Sequence, residues 1–169
     1  MKQMMKVFVA AAMVLAFAVP ASAQGTGASG VVFSAGVSFL NDSGSTATGF
    51  DLTAGKDFST VGTANLGLVG NFAYHTDDPF SILTLAAGPR LSWPRGKVTP
   101  YVHVLLGMVR TSIDDVDASS TDFTLLPGGG VSYQINDRFG VFGQYDVQIV
   151  FVDGDTGNSN RFTFGVTIR

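Results

Sequence analysis

From residue 31 onward, bulky apolar residues alternate with small or polar ones, and the pattern recurs along the chain. A period of two belongs to a half-buried strand, not to a helix. The alternation predicts strands near 31–40, 47–56, 63–75, 80–93, 99–111, 121–135, 139–152 and 160–168. The repeat of roughly 18 residues fits a tilted spanning strand of about 9 to 11 residues plus its turn. In the last strand Phe162, Phe164, Val166 and Ile168 share one face, opposite Arg161, Thr163, Gly165 and Thr167. Strand seven sets Val141, Tyr145, Val147, Ile149 and Phe151 against Gln144, Asp146 and Gln148. Strands one and four follow the same rule, with Val31, Phe33, Val37 and Phe39 in the first and Leu83, Leu85, Ala87, Leu91 and Trp93 in the fourth.

Which face points outward follows from the polar face. A soluble, lipocalin-like ligand-binding barrel turns its apolar side chains inward and covers its exterior with Lys and Glu. Here the second face is Gly, Ser, Thr, Asn and Gln with a few charges, and the chain has no Glu. That composition suits the narrow interior of an eight-stranded barrel, which side chains fill. Inward glycines at Gly36, Gly55, Gly67, Gly88, Gly128 and Gly165 then make room for a polar lumen network of Asp51, Arg90, Gln144, Asp146 and Gln148. The expected fold is all-β: a closed, eight-stranded, antiparallel, up-and-down transmembrane β-barrel. Strand five is apolar on both faces. We place Val102, Val104, Leu106 and Met108 outside, which turns His103 inward. Pro89 and Pro127 each remove a ladder donor, and a bulge at Pro127-Gly128-Gly129-Gly130 is the expected remedy.

Composition narrows the setting. Charged residues make up 14% of the 169, against about 25% in ordinary soluble domains. Residues 1–23 read as a secretory signal, with basic Lys2 and Lys6, an apolar stretch from Val7 to Val19, and the small-residue site Ala21-Ser22-Ala23. The domain is then 24–169, beginning with the lead-in 24–30. No later run has the roughly 18 apolar residues of a spanning helix, so a membrane has to be crossed with strands. Loss of Lys2 and Lys6 deepens a net charge already at −3, so no nucleic-acid footprint is present. With no cysteine there is no disulfide framework and no thiolate metal site.

Two aromatic belts and a loop asymmetry give orientation. Phe39, Phe50, Tyr74, Phe80, Phe123, Phe151 and Phe162 fall near one rim, and Phe58, Trp93, Tyr133 and Phe139 near the other, as membrane interfaces favour. The bland alternative is that strand ends collect aromatics in any β-protein. Connections 41–46, 76–79, 112–120 and 153–159 hold Asp42, Asp77, Asp78, Asp114, Asp115, Asp117, Asp153 and Asp155. The opposite turns are shorter and carry Arg95, Lys97 and Arg138. Both termini are therefore expected in the periplasm and the acidic loops outside.

Chemistry is sparse. The histidines are His75 and His103. His75, beside Asp77 and Asp78 and near Ser81, is the one place where a rim base and a nucleophile could meet, as in a lipid A deacylase-like enzyme. An interfacial anchor is the plainer reading, and no catalytic residue is assigned. Asp114, Asp115 and Asp117 are weak candidates for a divalent cation, against a solvated acidic loop. No cofactor is expected.

The runs GPRLSW at 88–93, VTPYVHVLLGMVR at 98–110 and the closing RFTFGVTIR resemble the small outer-membrane β-barrel proteins, the OmpA/OmpX-like and opacity-protein-like barrels of the porin family. The resemblance spans the mature chain. Its terminal strand ends Ile168-Arg169 where the family habit is an aromatic residue. The resemblance implies a monomer in the outer membrane, with lipid and lipopolysaccharide as surroundings and the barrel-insertion machinery reading its C-terminal strand. The expected role is a structural or interaction one, a membrane anchor displaying short acidic loops around a plugged lumen. A small transporter or a rim-active lipid-modifying enzyme is the alternative.

Overall fold

The structure is a computed structural model that describes residues 30–42, 44–78, 80–113, 118–152 and 155–169. The expected signal segment, the lead-in up to residue 29, and Asp114, Asp115, Asp117 and Asp153 lie outside the described residues. Eight strands follow in order: β1 (Val32–Asp42), β2 (Ser45–Val61), β3 (Ala64–Asp77), β4 (Phe80–Ser92), β5 (Val98–Ile113), β6 (Ala118–Gln134), β7 (Phe139–Val152) and β8 (Asp155–Ile168). Each pairs antiparallel with the next, and β8 pairs back onto β1 from Phe33↔Ile168 to Asn41↔Asn160. Closure leaves no free edge, the condition for placing a sheet in hydrocarbon.

Except for β4 and β7, the strands run longer than the alternation alone indicated, and they take up much of the expected loops. β1 continues to Asp42 and β2 starts at Ser45. β8 starts at Asp155, so most of the expected 153–159 loop is paired strand. Polar Ser, Thr, Asn and Asp carry these extensions, where water-facing strand needs no apolar face. At the end that holds both termini, the β2–β3 and β4–β5 turns are closed by Gly62 and Gly96, whose φ values of 63° and 62° lie in the left-handed region. The β6–β7 turn is set by Asn136, whose Oδ1 accepts from the backbone N–H groups of Arg138 and Phe139 at 3.0 and 2.9 Å.

The prolines are accommodated without the expected bulge. β6 and β7 pair at Leu125↔Ile149 and again at Gly128↔Asp146 in unchanged register, skipping only Leu126 and Pro127. Likewise β4 and β5 pair at Ala87↔Leu106 and Arg90↔His103, skipping Gly88 and Pro89. On their other sides Pro127 pairs with Val104 and Pro89 with Leu68. Each proline thus interrupts one seam locally, because a missing donor need not add a residue. The register shift that does occur lies between Asp57 and Ser59 in the β2–β3 pair, where Phe58 is exposed.

The exterior is apolar. Phe33, Val37, Leu68, Leu85, Phe123, Phe164 and Val166 are exposed large hydrophobics, the reverse of a lipocalin-like barrel. In β5, Val102, Val104, Leu106 and Met108 are exposed while His103 and Leu105 are buried, which settles the register of that strand. The interior is not uniformly polar, however. Val69, Ala86, Leu105 and Leu126, from the adjacent strands β3 to β6, form an apolar wall inside the barrel. Elsewhere in the lumen buried polar groups predominate, interspersed with apolar residues such as Leu40, Val109 and Phe142.

Candidate functional site

A bundle of buried polar side chains crosses the lumen. Its centre is Arg161 on β8, fully buried. Arg161 donates through Nε and Nη2 to Oδ2 of Asp146 at 3.0 and 2.8 Å. Its Nη1 donates to Oδ1 of Asn71 at 3.1 Å and lies 3.6 Å from Oδ2 of Asp51. Asn71 in turn donates to Asp51 at 2.7 Å, and Thr53 donates to the other oxygen of Asp51 at 3.0 Å. On the far side Asp146 Oδ1 lies 2.8 Å from His103 Nε2, and Asp146 Oδ2 accepts from Gln144 at 2.8 Å. Tyr101 closes the set by donating its hydroxyl to Gln144 at 2.9 Å. Side chains from β2, β3, β5, β7 and β8 are thereby tied through one guanidinium. Two carboxylates share a single cation, an arrangement that low-dielectric burial tolerates because almost every lone pair has a donor.

The ladder explains how these groups meet. Successive partners around the sheet from Arg161 are Asp146, Gly128, His103, Arg90, Gly67 and Asp57. Charged and ionisable side chains therefore occupy a single row, with glycine at two places in it. A Cβ added at Gly128 would collide with the Asp146 carboxylate, and one at Gly67 with that of Asp57. The glycines are the spaces into which these carboxylates lean.

Of the residues expected in one network, Asp51, Gln144 and Asp146 are brought together. Arg90 and Gln148 are not. Arg90 pairs with Asp57 at 3.2 Å and sits over the Tyr101 ring, 5.9 Å from its centroid, nearer the terminal end. Gln148 reaches across the opposite half of the lumen to Thr84 at 3.4 Å. The shear of the barrel separates them, since residues on one row of a tilted sheet stand at different depths. Arg161 lay on the polar face of the alternation, but with strand eight begun at 160 it stood at a margin and went unassigned. Ser38, His75 and Thr163 form a third buried group, with His75 Nε2 2.9 Å from Ser38 Oγ and Ser38 3.0 Å from Thr163. His75 is therefore an inward side chain rather than a rim one.

The aromatic residues expected in two belts lie on the outer face, whereas Tyr101 and Phe142 point inward. Near the loop end Phe50 meets Tyr74 and Phe123 meets Phe151, with centroids 6.0 and 5.8 Å apart. Phe39 stacks on Phe164, and Phe162 lies tilted against Tyr145. Phe80 is exposed at the same end, and Phe58, Tyr133 and Phe139 at the other, where Trp93 is half-buried. Among the described residues no group of His, Cys, Asp or Glu is placed to hold a metal ion.

With a closed barrel of apolar exterior established, the sequence of residues 9–169 matches the outer membrane protein beta-barrel domain family. The chain belongs to that family. It is an outer-membrane β-barrel. Solved barrels of similar fold include the Neisserial surface protein A, at 18% identity and a TM-score of 0.57 over 82% of this chain and 94% of that one. Ail, the attachment invasion locus protein of Yersinia pestis, is 17% identical with a TM-score of 0.52, covering 83% and 96%. The outer membrane enzyme PagL is 15% identical with a TM-score of 0.54, covering 83% and 99%. At such identities the likeness concerns the fold. Among curated proteins, none has a sequence that matches this chain.

Proposed function

We propose that this family member is a sealed outer-membrane anchor with a structural or interaction role. Both termini lie in the periplasm after removal of a signal peptide, and a short polar, acidic rim faces outward. The observation that carries this reading is the Arg161 bundle. It ties β2 and β3 to β7 and β8 through the middle of the lumen, and a charge pair so fully hydrogen-bonded opens only at a cost of several kcal/mol. Neutral solutes and ions meet side chains rather than a path. The surroundings on this reading are outer-membrane lipid and lipopolysaccharide, and the insertion machinery meets the chain through β8. No cofactor is needed.

Purified protein in planar bilayers is expected to give negligible conductance, and a steady open single-channel current would overturn the sealed reading. Protease applied to whole cells is expected to reach only the connections after β1, β3, β5 and β7. Cleavage at the β4–β5 or β6–β7 turn from outside would reverse the orientation.

An enzyme reading draws on the fold of PagL, described as an outer membrane enzyme. The placement of His75 weighs against a rim-active version. Its ring is buried against Ser38 inside the barrel, away from the lipid at the rim that such an enzyme would act on. Mass spectrometry of lipid A from cells with and without the protein is expected to be identical, and a lost acyl chain would favour the enzyme.

A further inference from the structure

The bundle closes only part of the lumen. Between it and the end that holds Gly30 and Arg169 lies a cavity of about 640 Å³, within the range of about 300 to 1,000 Å³ typical of small-molecule sites. Asn71, His103 and Gln144 of the bundle form its deep wall. Its charges do not balance. Lys56, Arg90 and Arg169 line it, against the one carboxylate of Asp57 among the described lining residues. Arg90 gives a single hydrogen bond, from Nη2 to Oδ1 of Asp57 at 3.2 Å, although a guanidinium carries five N–H donors. Arg169 donates Nη1 to the neutral Oε1 of Gln134 at 2.9 Å. Neither it nor Lys56 has a carboxylate partner among the described residues. Arg161, by contrast, uses Nε, Nη1 and Nη2 at once. The cations around the chamber have donors to spare.

We propose that this chamber binds a small, soluble phosphate monoester through Arg90 and Arg169, entering from the end that holds the termini. Three basic side chains facing one acidic one, inside low-dielectric walls, focus a positive potential that draws anions in. A phosphate monoester is close to dianionic at neutral pH, so it answers that excess of base better than a singly charged carboxylate. Guanidinium forks suit its oxygens, and bonds between ionised partners are the strong ones. Hydroxyls of Ser34, Thr53, Ser132 and Thr167 line the same space, offering donors and acceptors to a polar organic group beyond the phosphate. The closed sheet separates the chamber from lipid, so the phosphate arrives on a soluble molecule and not on a lipid headgroup. The site stands whether or not the bundle seals the deep end. Entry from the periplasm follows from the orientation proposed above, which proteolysis of whole cells tests separately.

The test is calorimetric titration of the barrel in phosphatidylcholine nanodiscs and Tris buffer, with glycerol 3-phosphate, inorganic phosphate, acetate and glycerol as probes. Saturable binding of glycerol 3-phosphate, tighter than that of the other three, is expected. No saturable binding overturns the proposal, as does inorganic phosphate, acetate or glycerol bound as tightly as the ester. Arg90→Gln and Arg169→Gln each remove a charged donor, and a weakening of about tenfold or more is expected, the size of a lost hydrogen bond to a charged group. A heat-modifiability gel reports whether each variant folds, and Arg169→Gln at the mouth carries the test if Arg90→Gln does not. Arg110→Gln, on the exposed face of β5 near the loop end, is expected to bind as the unmodified chain does. Weakening in a folded chamber variant, with Arg110→Gln unaffected, supports the site. Unchanged binding in every folded chamber variant, or an equal loss in Arg110→Gln, puts the anion elsewhere and overturns it.

Discussion

A single guanidinium decides how the lumen is filled, and its removal is the sharpest test at the level of one side chain. Arg161→Met leaves Asp146 and Asp51 buried without their shared cation. Breaking a buried charge pair on one side costs about 3 to 5 kcal/mol, so a marked fall in the urea midpoint of the refolded barrel is expected. An unchanged midpoint would mean that the bundle contributes nothing. The glycines offer a finer comparison. Gly128→Ala forces the Asp146 carboxylate out of place, whereas a Cβ at Gly143 meets nothing within 4 Å. Gly128→Ala is therefore expected to lower the midpoint clearly more than Gly143→Ala, and equal effects would refute the row as described. Asp51 and Asp146 were legible in the sequence because a charge in an alternating strand stands out. Of their partners Gln144 was also legible, but Arg161 and Asn71 were not, because depth in a sheared barrel depends on every register between two residues. Arg161 and Arg90 sit on one row yet serve different carboxylates, a distinction that periodicity does not carry.

At the scale of a strand, alternation was the legible quantity, and it located all eight elements. Strand ends escaped it. The segment 155–160 contains no apolar alternation, yet it pairs with β7 from Val152↔Asp155 to Val147↔Asn160, because strand beyond the apolar zone is held by its backbone ladder without needing an apolar face. β5 is the strand where outward placement matters most plainly, being apolar on both faces. Leu106→Arg sets a cation on the lipid side near the middle of that strand and is expected to cost about 2 to 4 kcal/mol. The comparison is Ser112→Arg, on the same face but close to the loop end, where the cost falls to about 0 to 1 kcal/mol. Unfolding in lipid vesicles measures both, and a cheap Leu106→Arg would contradict an outward face.

For the whole molecule, the apolar wall on β3 to β6 inside a largely polar lumen was not visible from composition. Gly, Ser and Thr dominate the inner face in sequence, and β5, apolar on both faces, offered two ways of choosing which residues turn inward. What composition did reveal was the inversion, with scarce charge and bulky residues on the exterior. The intact barrel is expected to migrate faster unheated than boiled on a denaturing gel, since closure by β1 and β8 resists detergent. Identical mobility would argue against a closed sheet.

Arg161 stands next to the β1–β8 seam and grips Asn71 and Asp51 beyond it, so the last step of closure is checked from within. A ring zipped two residues out of step would keep its backbone pairing and its greasy exterior, but would part Arg161 from Asn71 and Asp51 while leaving it on Asp146. On the sealed reading proposed above, the bundle would then favour correct closure as well as fill the lumen. Arg161→Met is expected to accumulate slow-converting, mis-zipped species during refolding, visible as extra bands before equilibrium; refolding as clean as that of the unmodified chain would show that the seam finds its place unaided.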